Sequence, residues 1–330
     1  MKVLVIRFSS IGDIVLTTPV IRCLKKQLPD VEIHFLTKYE YRHIAEPNPY
    51  ISKVHLLKDN WEQLIAGLKT ERFDYIIDLH KNLRTGKVKR ALSIARAFSY
   101  DKLNWEKWLL TNFKINQMPG VHIVDRYMAT VKSLGIANDE LGLDYFIPES
   151  ETVKESDIPM SHQAGFIGIV IGASYATKKL PLEKIIALCS LIEHPIILMG
   201  GPEDKLTGES IAATDPHKIY NACGKFTLNE SADLVRRSKL IISHDTGLMH
   251  IAAAFKKPVI SVWGNTVPAF GMTPYYGKAQ VLNARFEIEK LSCRPCSKLG
   301  YQECPKKHFK CMNDISLTAI AEKVEEFIRK

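Results

Sequence analysis

Residues 166–181 read FIGIVIGASYATKKLP, from Phe166 to Pro181. An apolar run with no polar alternation opens the stretch, which suits a strand buried on both faces of a parallel sheet. Ser174, Thr177, Lys178 and Lys179 follow. Pro181 stands where a helix begins, because its fixed φ and missing N–H suit a first turn. Strand, loop and helix in that order open a βαβ unit. Runs of the same kind recur as KVLVIR, VEIHFL, SKVHLL and FDYIIDL in the first half. In the second half they recur as HPIILMGG, HKIYNAC, KLIISHD and KPVISVWG. Between them lie segments long enough for crossover helices. The reading is an α/β chain of two Rossmann-like domains in tandem, their parallel sheets facing a central cleft where ligands of open α/β sheets bind.

Length agrees, since 330 residues are too many for one ordinary domain. The polar, proline-punctuated segment Ile147–Gln163 is the expected linker, giving domains 1–155 and 156–330, with a terminal helix at about 315–330 that can return to the first domain. A hydrophobic content of 46% with 25% charged residues describes a soluble globular protein with a substantial core. The net charge of +9 favours anionic partners: nucleic acid, nucleotide sugars or an acidic membrane surface. Arg7 and Asp13 interrupt the first apolar residues before a secretory h-region can form. No apolar stretch approaches the ~18 residues of a membrane span. The cytoplasm is therefore the expected location, and Cys23, Cys189 and Cys223 read as small buried hydrophobes.

The strand-to-loop junctions hold the chemistry. Hydroxyls and an ammonium at ASYATKKLP, beside a helix amino terminus, suit a diphosphate; a solvated basic loop is the plainer reading. Glu203 and Asp204 follow HPIILMGG, where a ribose-binding carboxylate stands in many nucleotide-binding domains, and where first-turn acids are also common. After KLIISH comes DTGLMHIAAAF. Asp245 can cap a helix there, Thr246 and Gly247 offer backbone N–H groups at its positive end, and His250 falls one turn in. In the first half HKNLRTGKVKRALSIARAFSY carries six cations and no acid between Leu79 and Tyr100. Lys81 and Arg84 lie closest to the strand end and can grip phosphates or carboxylates, whereas Lys87, Lys89 and Arg90 read as a solvated helix face. The first loop, RFSSIGDIVLTTP, has a single glycine, Gly12, followed at once by Asp13. A carboxylate there is wrong for a phosphate loop. It can cap a helix from Ile14 or take a proton.

Cys293, Cys296, Cys304 and Cys311 are spaced C-x2-C-x7-C-x6-C with His308 inside. Four thiolates, or three with His308, would suit a closed structural zinc site; reduced thiols or a labile disulfide in an irregular loop are the alternatives.

Taken together, SSIGDIVLTTP, NLRTG, GASYATKKLP, GGPED, DTGLMHIAAAF and CRPC…ECPKKHFKCM resemble glycosyltransferase family 9, the heptosyltransferases of the bacterial lipopolysaccharide inner core, over nearly the whole chain. The resemblance implies a GT-B fold and inverting transfer from ADP-heptose with no required metal or other cofactor. It implies Asp13 as general base, with Gly12, Lys81 and Arg84 on the acceptor side in the first domain. It implies Ser174, Thr177 and Lys178 on the diphosphate and Glu203, or its neighbour Asp204, on the ribose. Asp245, Thr246, Gly247 and His250 would hold donor sugar and phosphates in the second domain. The acceptor would be an anionic glycolipid, with peripheral contact at the cytoplasmic face of the inner membrane. The chain has no DxD sequence to hold a divalent ion. It departs from the family pattern at Leu180, where many members have tryptophan, and in WGNTVPAFG, with Asn265 and Val267 in place of proline and aspartate. Those departures leave another nucleotide sugar or surface glycan open. An epimerase of GT-B layout is the alternative enzyme. A dinucleotide oxidoreductase is disfavoured because no GxGxxG follows either first strand. A nucleic-acid partner is not expected, since no helix-turn-helix, RNP or zinc-finger pattern accompanies the positive charge.

Overall fold

A computed structural model describes residues 1–94, 96–279 and 282–329. The chain divides into two compact units. The first takes residues 1–102, 121–146 and 277–279; the second takes 103–120, 147–276 and the chain from 282 on.

The first unit is built on five parallel strands, β1 (Lys2–Ile6), β2 (Glu32–Lys38), β3 (Lys53–Leu57), β4 (Tyr75–Asp78) and β5 (Ala97–Ser99), in the order β3-β2-β1-β4-β5. The second has six, β6 (Ile167–Val170), β7 (Ile196–Met199), β8 (Ile219–Asn221), β9 (Leu240–His244), β10 (Val259–Trp263) and β11 (Asn283–Glu287), in the order β11-β10-β9-β6-β7-β8, again all parallel. In each sheet the first strand lies at the centre and the order reverses beside it, between β1 and β4 and between β6 and β9. That reversal makes the crevice in which Rossmann-type sheets take ligands. All nine runs expected as strands are strands. The two extra ones, β5 and β11, are edge strands without an apolar run, and the sequence pattern carries no signal for them.

Central strands are apolar because both faces are covered. Leu4, Ile6, Phe8, Leu36, Leu68, Ile76 and Val88 form one core cluster in the first unit. Ile167, Ile169, Leu188, Leu198, Leu240, Ile242, Ile260 and Val262 belong to the core of the second. Burial of this kind supplies about 25 cal/mol per Å² of apolar surface removed from water. Two expectations are corrected. The terminal helix Leu317–Arg329 spends its apolar face, Ile320 and Val324, on the second unit's core. The expected linker is packed rather than free: Val153 and Ile158 are buried, the Val153 N–H donates to Asp233 Oδ2 at 3.0 Å, and Asn229 Nδ2 donates to Glu151 Oε2 at 3.0 Å. A few apolar residues set among acids were enough to dock it. Among the described residues no helix is long and apolar enough to cross a membrane.

Candidate functional site

In the first unit the site grows from the β1 loop. Ser10 is the N-cap of a helix at Ile11–Val15, so Asp13 is its third residue and not the cap before Ile14. Its carboxylate turns back on the cap: the Ser10 N–H and Oγ donate to Asp13 Oδ2 at 3.2 and 2.8 Å. The other oxygen, Oδ1, pairs with Arg7 Nη2 at 2.6 Å. Arg7 is itself buried. Its Nε donates to the Ser9 carbonyl at 2.6 Å, and its Nη1 donates to the Leu79 carbonyl at 2.6 Å and the Tyr127 hydroxyl at 2.9 Å. Burial works against the guanidinium charge, but Asp13, Tyr127 and Tyr100 outweigh it and hold the Arg7 pKa above its ordinary value. His80, at the end of β4, packs its ring on Phe8 at 5.1 Å. Burial first, then Arg7 and Lys102, push its pKa down to about 4, so its imidazole is neutral near pH 7. Arg7, His80 and Tyr127 were not singled out as site residues. Arg7 sits in the same loop as Asp13, but only the fold carries Tyr127 to it from 120 residues away.

Lys81 and Arg84 flank the start of the helix Leu83–Leu92, where the Asn82 side chain accepts from the Thr85 N–H at 2.9 Å. Both side chains are exposed, as expected of an acceptor grip. Lys89 is a correction to the solvated-face reading, because it pairs with the buried Asp78 at 2.8 Å. Burial raises the Asp78 carboxyl, yet Lys89 and the Lys81 and Thr85 contacts more than offset that and leave its pKa below the ordinary value.

In the second unit the predicted donor residues separate into two groups. Lys178 Nζ pairs with Asp245 Oδ2 at 2.7 Å, joining the β6 and β9 loops across the strand-order reversal. Thr266 Oγ1 donates to the same Asp245 oxygen at 2.9 Å. Asp245 is therefore not the cap of the helix Gly247–Ala254; Thr246 is, with its hydroxyl 3.1 Å from Ser243 Oγ. Gly247 opens that helix, and His250 is buried one turn in. Ser174 and Glu203 are exposed. Thr177 is not available to a phosphate. It is buried, its hydroxyl donates to the Tyr301 carbonyl at 3.0 Å and accepts from the Tyr301 N–H at 2.8 Å. Between the two adjacent acids the structure chooses clearly. Asp204 is buried, accepting from Lys179 Nζ at 2.7 Å and the Gly201 N–H at 3.1 Å, while Glu203 faces solvent. A Cβ on Gly172 would strike the Asp204 carboxylate, so that glycine is required by a close approach.

His244 was also missed. The Leu180 N–H donates to its Nε2 at 2.9 Å, and full burial takes its pKa down to about 4. It pins the lysine loop from beneath, which the one-dimensional pattern of an apolar strand conceals. Of the three departures, Leu180 and Asn265 are buried and Val267 is half-buried, and Asn265 Nδ2 donates to the Ser297 carbonyl at 3.2 Å and hydroxyl at 3.1 Å.

The four cysteines of the loop lie near one another, Cys296 being acted on by Cys293 and Cys304, and Cys311 by Cys296, Cys304 and Cys293. All four thiols are free, Cys296 Sγ donates to the Cys293 carbonyl at 3.1 Å, and Cys293 Sγ lies 3.8 Å from His308 Nε2. Burial pushes the Cys296 thiol up to about 11 and Cys311 up to about 12. Among the described residues the trio of ligand atoms within 4.8 Å of one another is His34, His55 and Glu71. That trio is occupied otherwise: Glu71 pairs with Lys53 at 2.5 Å and Lys2 at 3.2 Å, and the two imidazoles hydrogen-bond at 2.9 Å.

The family model of glycosyltransferase family 9 (heptosyltransferase) matches residues 61–301. Lipopolysaccharide heptosyltransferase 1 of Campylobacter coli is 27% identical over 84% of this chain and 86% of that protein. Lipooligosaccharide heptosyltransferase 2 of Haemophilus influenzae is 24% identical over the full length of both. Among solved structures, Escherichia coli ADP-heptose lps heptosyltransferase II superposes with a TM-score of 0.77 at 20% identity, covering 99% of this chain and 98% of that one. Escherichia coli heptosyltransferase WaaC with ADP superposes with a TM-score of 0.69 at 21% identity, covering 99% of this chain and all of that one. The fold is GT-B, and the chain belongs to glycosyltransferase family 9, the heptosyltransferases.

Proposed function

We propose that this glycosyltransferase moves heptose from ADP-heptose to an anionic sugar of a lipopolysaccharide inner core, with inversion at the anomeric carbon and without a metal ion. The observation that carries the donor half is Lys178 held at 2.7 Å by Asp245 beside the amino terminus of Gly247–Ala254. An incoming diphosphate would meet one ammonium and a helix dipole aligned to receive its charge. Relatives solved with ADP and with ADP-2-deoxy-2-fluoro heptose support an ADP-sugar donor. Exposed Glu203 is suited to the ribose hydroxyls, and exposed Lys81 and Arg84 to the acidic acceptor.

In the reaction the acceptor oxygen attacks the anomeric carbon as the bond from that carbon to the diphosphate breaks, and ADP leaves with the electron pair. Negative charge grows on the diphosphate, so Lys178 and the helix terminus act most strongly in the transition state. They supply there the positive charge that a divalent ion supplies elsewhere. Asp13 takes the acceptor proton. Its carboxylate is held by Arg7 and Ser10 at the start of the helix Ile11–Val15. Arg7 fixes its direction.

The test is a panel of nucleotide sugars offered with a lipopolysaccharide-core acceptor, with product mass and anomeric configuration read out, and with a chelator in a parallel arm. Transfer from a different nucleotide sugar, and none from ADP-heptose, removes the donor assignment. Conversion of the nucleotide sugar with no transfer would favour the epimerase.

A further inference from the structure

Arg294 lies buried in the second unit, and its guanidinium reaches four acceptors. Nε donates to the Gly264 carbonyl at 2.5 Å and Nη1 to the Ile288 carbonyl at 2.5 Å. Nη2 donates to the Thr266 carbonyl and to Glu287 Oε2, at 3.0 Å each. Glu287 is the last residue of β11, so on one side the arginine is anchored by charge to the edge of the sheet. On the other side it grips the two carbonyls that flank Asn265, in the loop leaving β10. A planar fork with five N–H groups can serve acceptors spread this way, and a lysine cannot.

The loop it grips is the one that orders the donor half-site. Thr266 Oγ1 donates to Asp245 Oδ2 at 2.9 Å, and that same oxygen holds Lys178 Nζ at 2.7 Å. The Asn265 N–H donates to the Thr177 carbonyl at 3.2 Å, one residue before Lys178. The segment that follows Arg294 adds two ties, Ser297 accepting from the Asn265 side chain and Tyr301 holding Thr177 through two hydrogen bonds. Lys178 is thus fastened twice: by its chain neighbour Thr177, and by Asp245 and Thr266 back to Arg294. Space is tight as well, since a Cβ on Gly264 would stand 2.7 Å from the Thr177 carbonyl oxygen. A turn packed this closely passes any displacement on to its neighbours.

We propose that Arg294 is a positioning residue for the diphosphate-binding lysine, acting on Lys178 through the 264–266 turn, Thr266 and Asp245. The inference rests on the reading of Lys178 as the diphosphate group and deepens it. A misplacement of about 1 Å in a group that meets developing charge can cost on the order of a hundredfold in rate, so the scaffold behind the ammonium counts in the transition state. Asn265, one of the departures from the family pattern, belongs to the same clamp. Its side-chain amide ties the turn to Ser297, a bond that a proline ring cannot make.

A double-mutant cycle on ADP affinity tests it. Thr266→Val keeps the shape of the side chain and removes the hydrogen bond to Asp245, whereas Arg294→Lys keeps a charge beside Glu287 and removes the fork. Each should raise the ADP dissociation constant, measured calorimetrically, by roughly tenfold. Together they should raise it no further than the stronger of the two, because both act through one link. The donor KM should rise with the dissociation constant while the acceptor KM keeps the parent value. If Arg294→Lys does not fold, Glu287→Gln, which removes the counter-charge and leaves an acceptor, takes its place with the same non-additivity expected. Arg22→Lys is the control. Arg22 is buried against Asp139 and Asp144 in the first unit, so its loss should lower the melting temperature and leave ADP affinity unchanged. Hydrogen exchange in the nucleotide-free protein should quicken at residues 177–179 in Arg294→Lys. Parental ADP affinity in the variants, or additive effects in the cycle, would make Arg294 a structural residue only and overturn the inference. A parent that does not bind ADP would fail the donor reading, and unchanged exchange at 177–179 would fail the clamp separately.

Discussion

Asp13 contacts Ser10 and Arg7, and its proposed catalytic role must be separated from these contacts. Asp13→Asn keeps the size and an acceptor for the cap but removes the counter-charge of a buried guanidinium. We expect transfer to fall by roughly 10²- to 10⁴-fold, the usual range for a lost general base. The melting temperature should fall as well, since Arg7 stays buried without its carboxylate. Affinity for ADP, measured calorimetrically, should match the parent, because Lys178, Asp245 and Glu203 belong to the other unit. A parent rate in the variant would reduce Asp13 to a structural partner of Arg7. The adjacent acids Glu203 and Asp204 make a second pair of expectations. Glu203→Gln should weaken ADP binding and leave the melting temperature unchanged. Asp204→Asn should lower stability by about 2 kcal/mol, through the lost charged hydrogen bonds from Lys179 and Gly201, with ADP binding affected less. Reversal of that pattern would move the ribose contact to Asp204.

Elements carry the donor half-site through the joint between β6 and β9. The loop after β6 leans on His244 at the end of β9, with the Leu180 N–H donating to a neutral imidazole. Unfolded, a histidine binds its proton near pH 6.5; folded, His244 does so at about 4. The unfolded chain therefore holds more protons between those values. The contribution of His244 to stability is complete above about pH 6.5 and is lost progressively down to about pH 4, by roughly 3 kcal/mol. Unfolding free energies from denaturant titrations should decline over that window in the parent and decline less in His244→Asn, whose amide can still accept from Leu180. An equal slope in both would remove His244 as the source.

At the level of the molecule, the proposed function divides donor and acceptor chemistry between the two units. ADP at a hundred times its dissociation constant should raise the second unit's stability by about 2.7 kcal/mol. Hydrogen exchange should slow in residues 172–180 and 244–250 on ADP addition and stay unchanged in 9–14 and 80–85. Slowing confined to the first unit would reverse the assignment of donor and acceptor halves. The net charge of +9 is spread over both units: exposed Lys81 and Arg84 follow β4 in the first, and Lys298, Lys306, Lys307 and Lys310 belong to the second.

Nine of the eleven strands and the fold class were legible in the linear pattern; the edge strands β5 and β11 were not. A strand buried on both faces must be continuously apolar, and in such sheets function collects where strands give way to loops. The roles of individual side chains in those loops were not legible. Thr177 looked like a phosphate ligand and is tied to Tyr301; Asp204 looked interchangeable with Glu203 and is buried under Lys179. Asp245 looked like a cap and is the counter-ion of Lys178. Each of these outcomes depends on a partner 25 to 124 residues away. Local periodicity follows from nearest neighbours and the need to hide apolar surface. The commitment of one polar group to another is settled only when distant strands bring the two within hydrogen-bond reach.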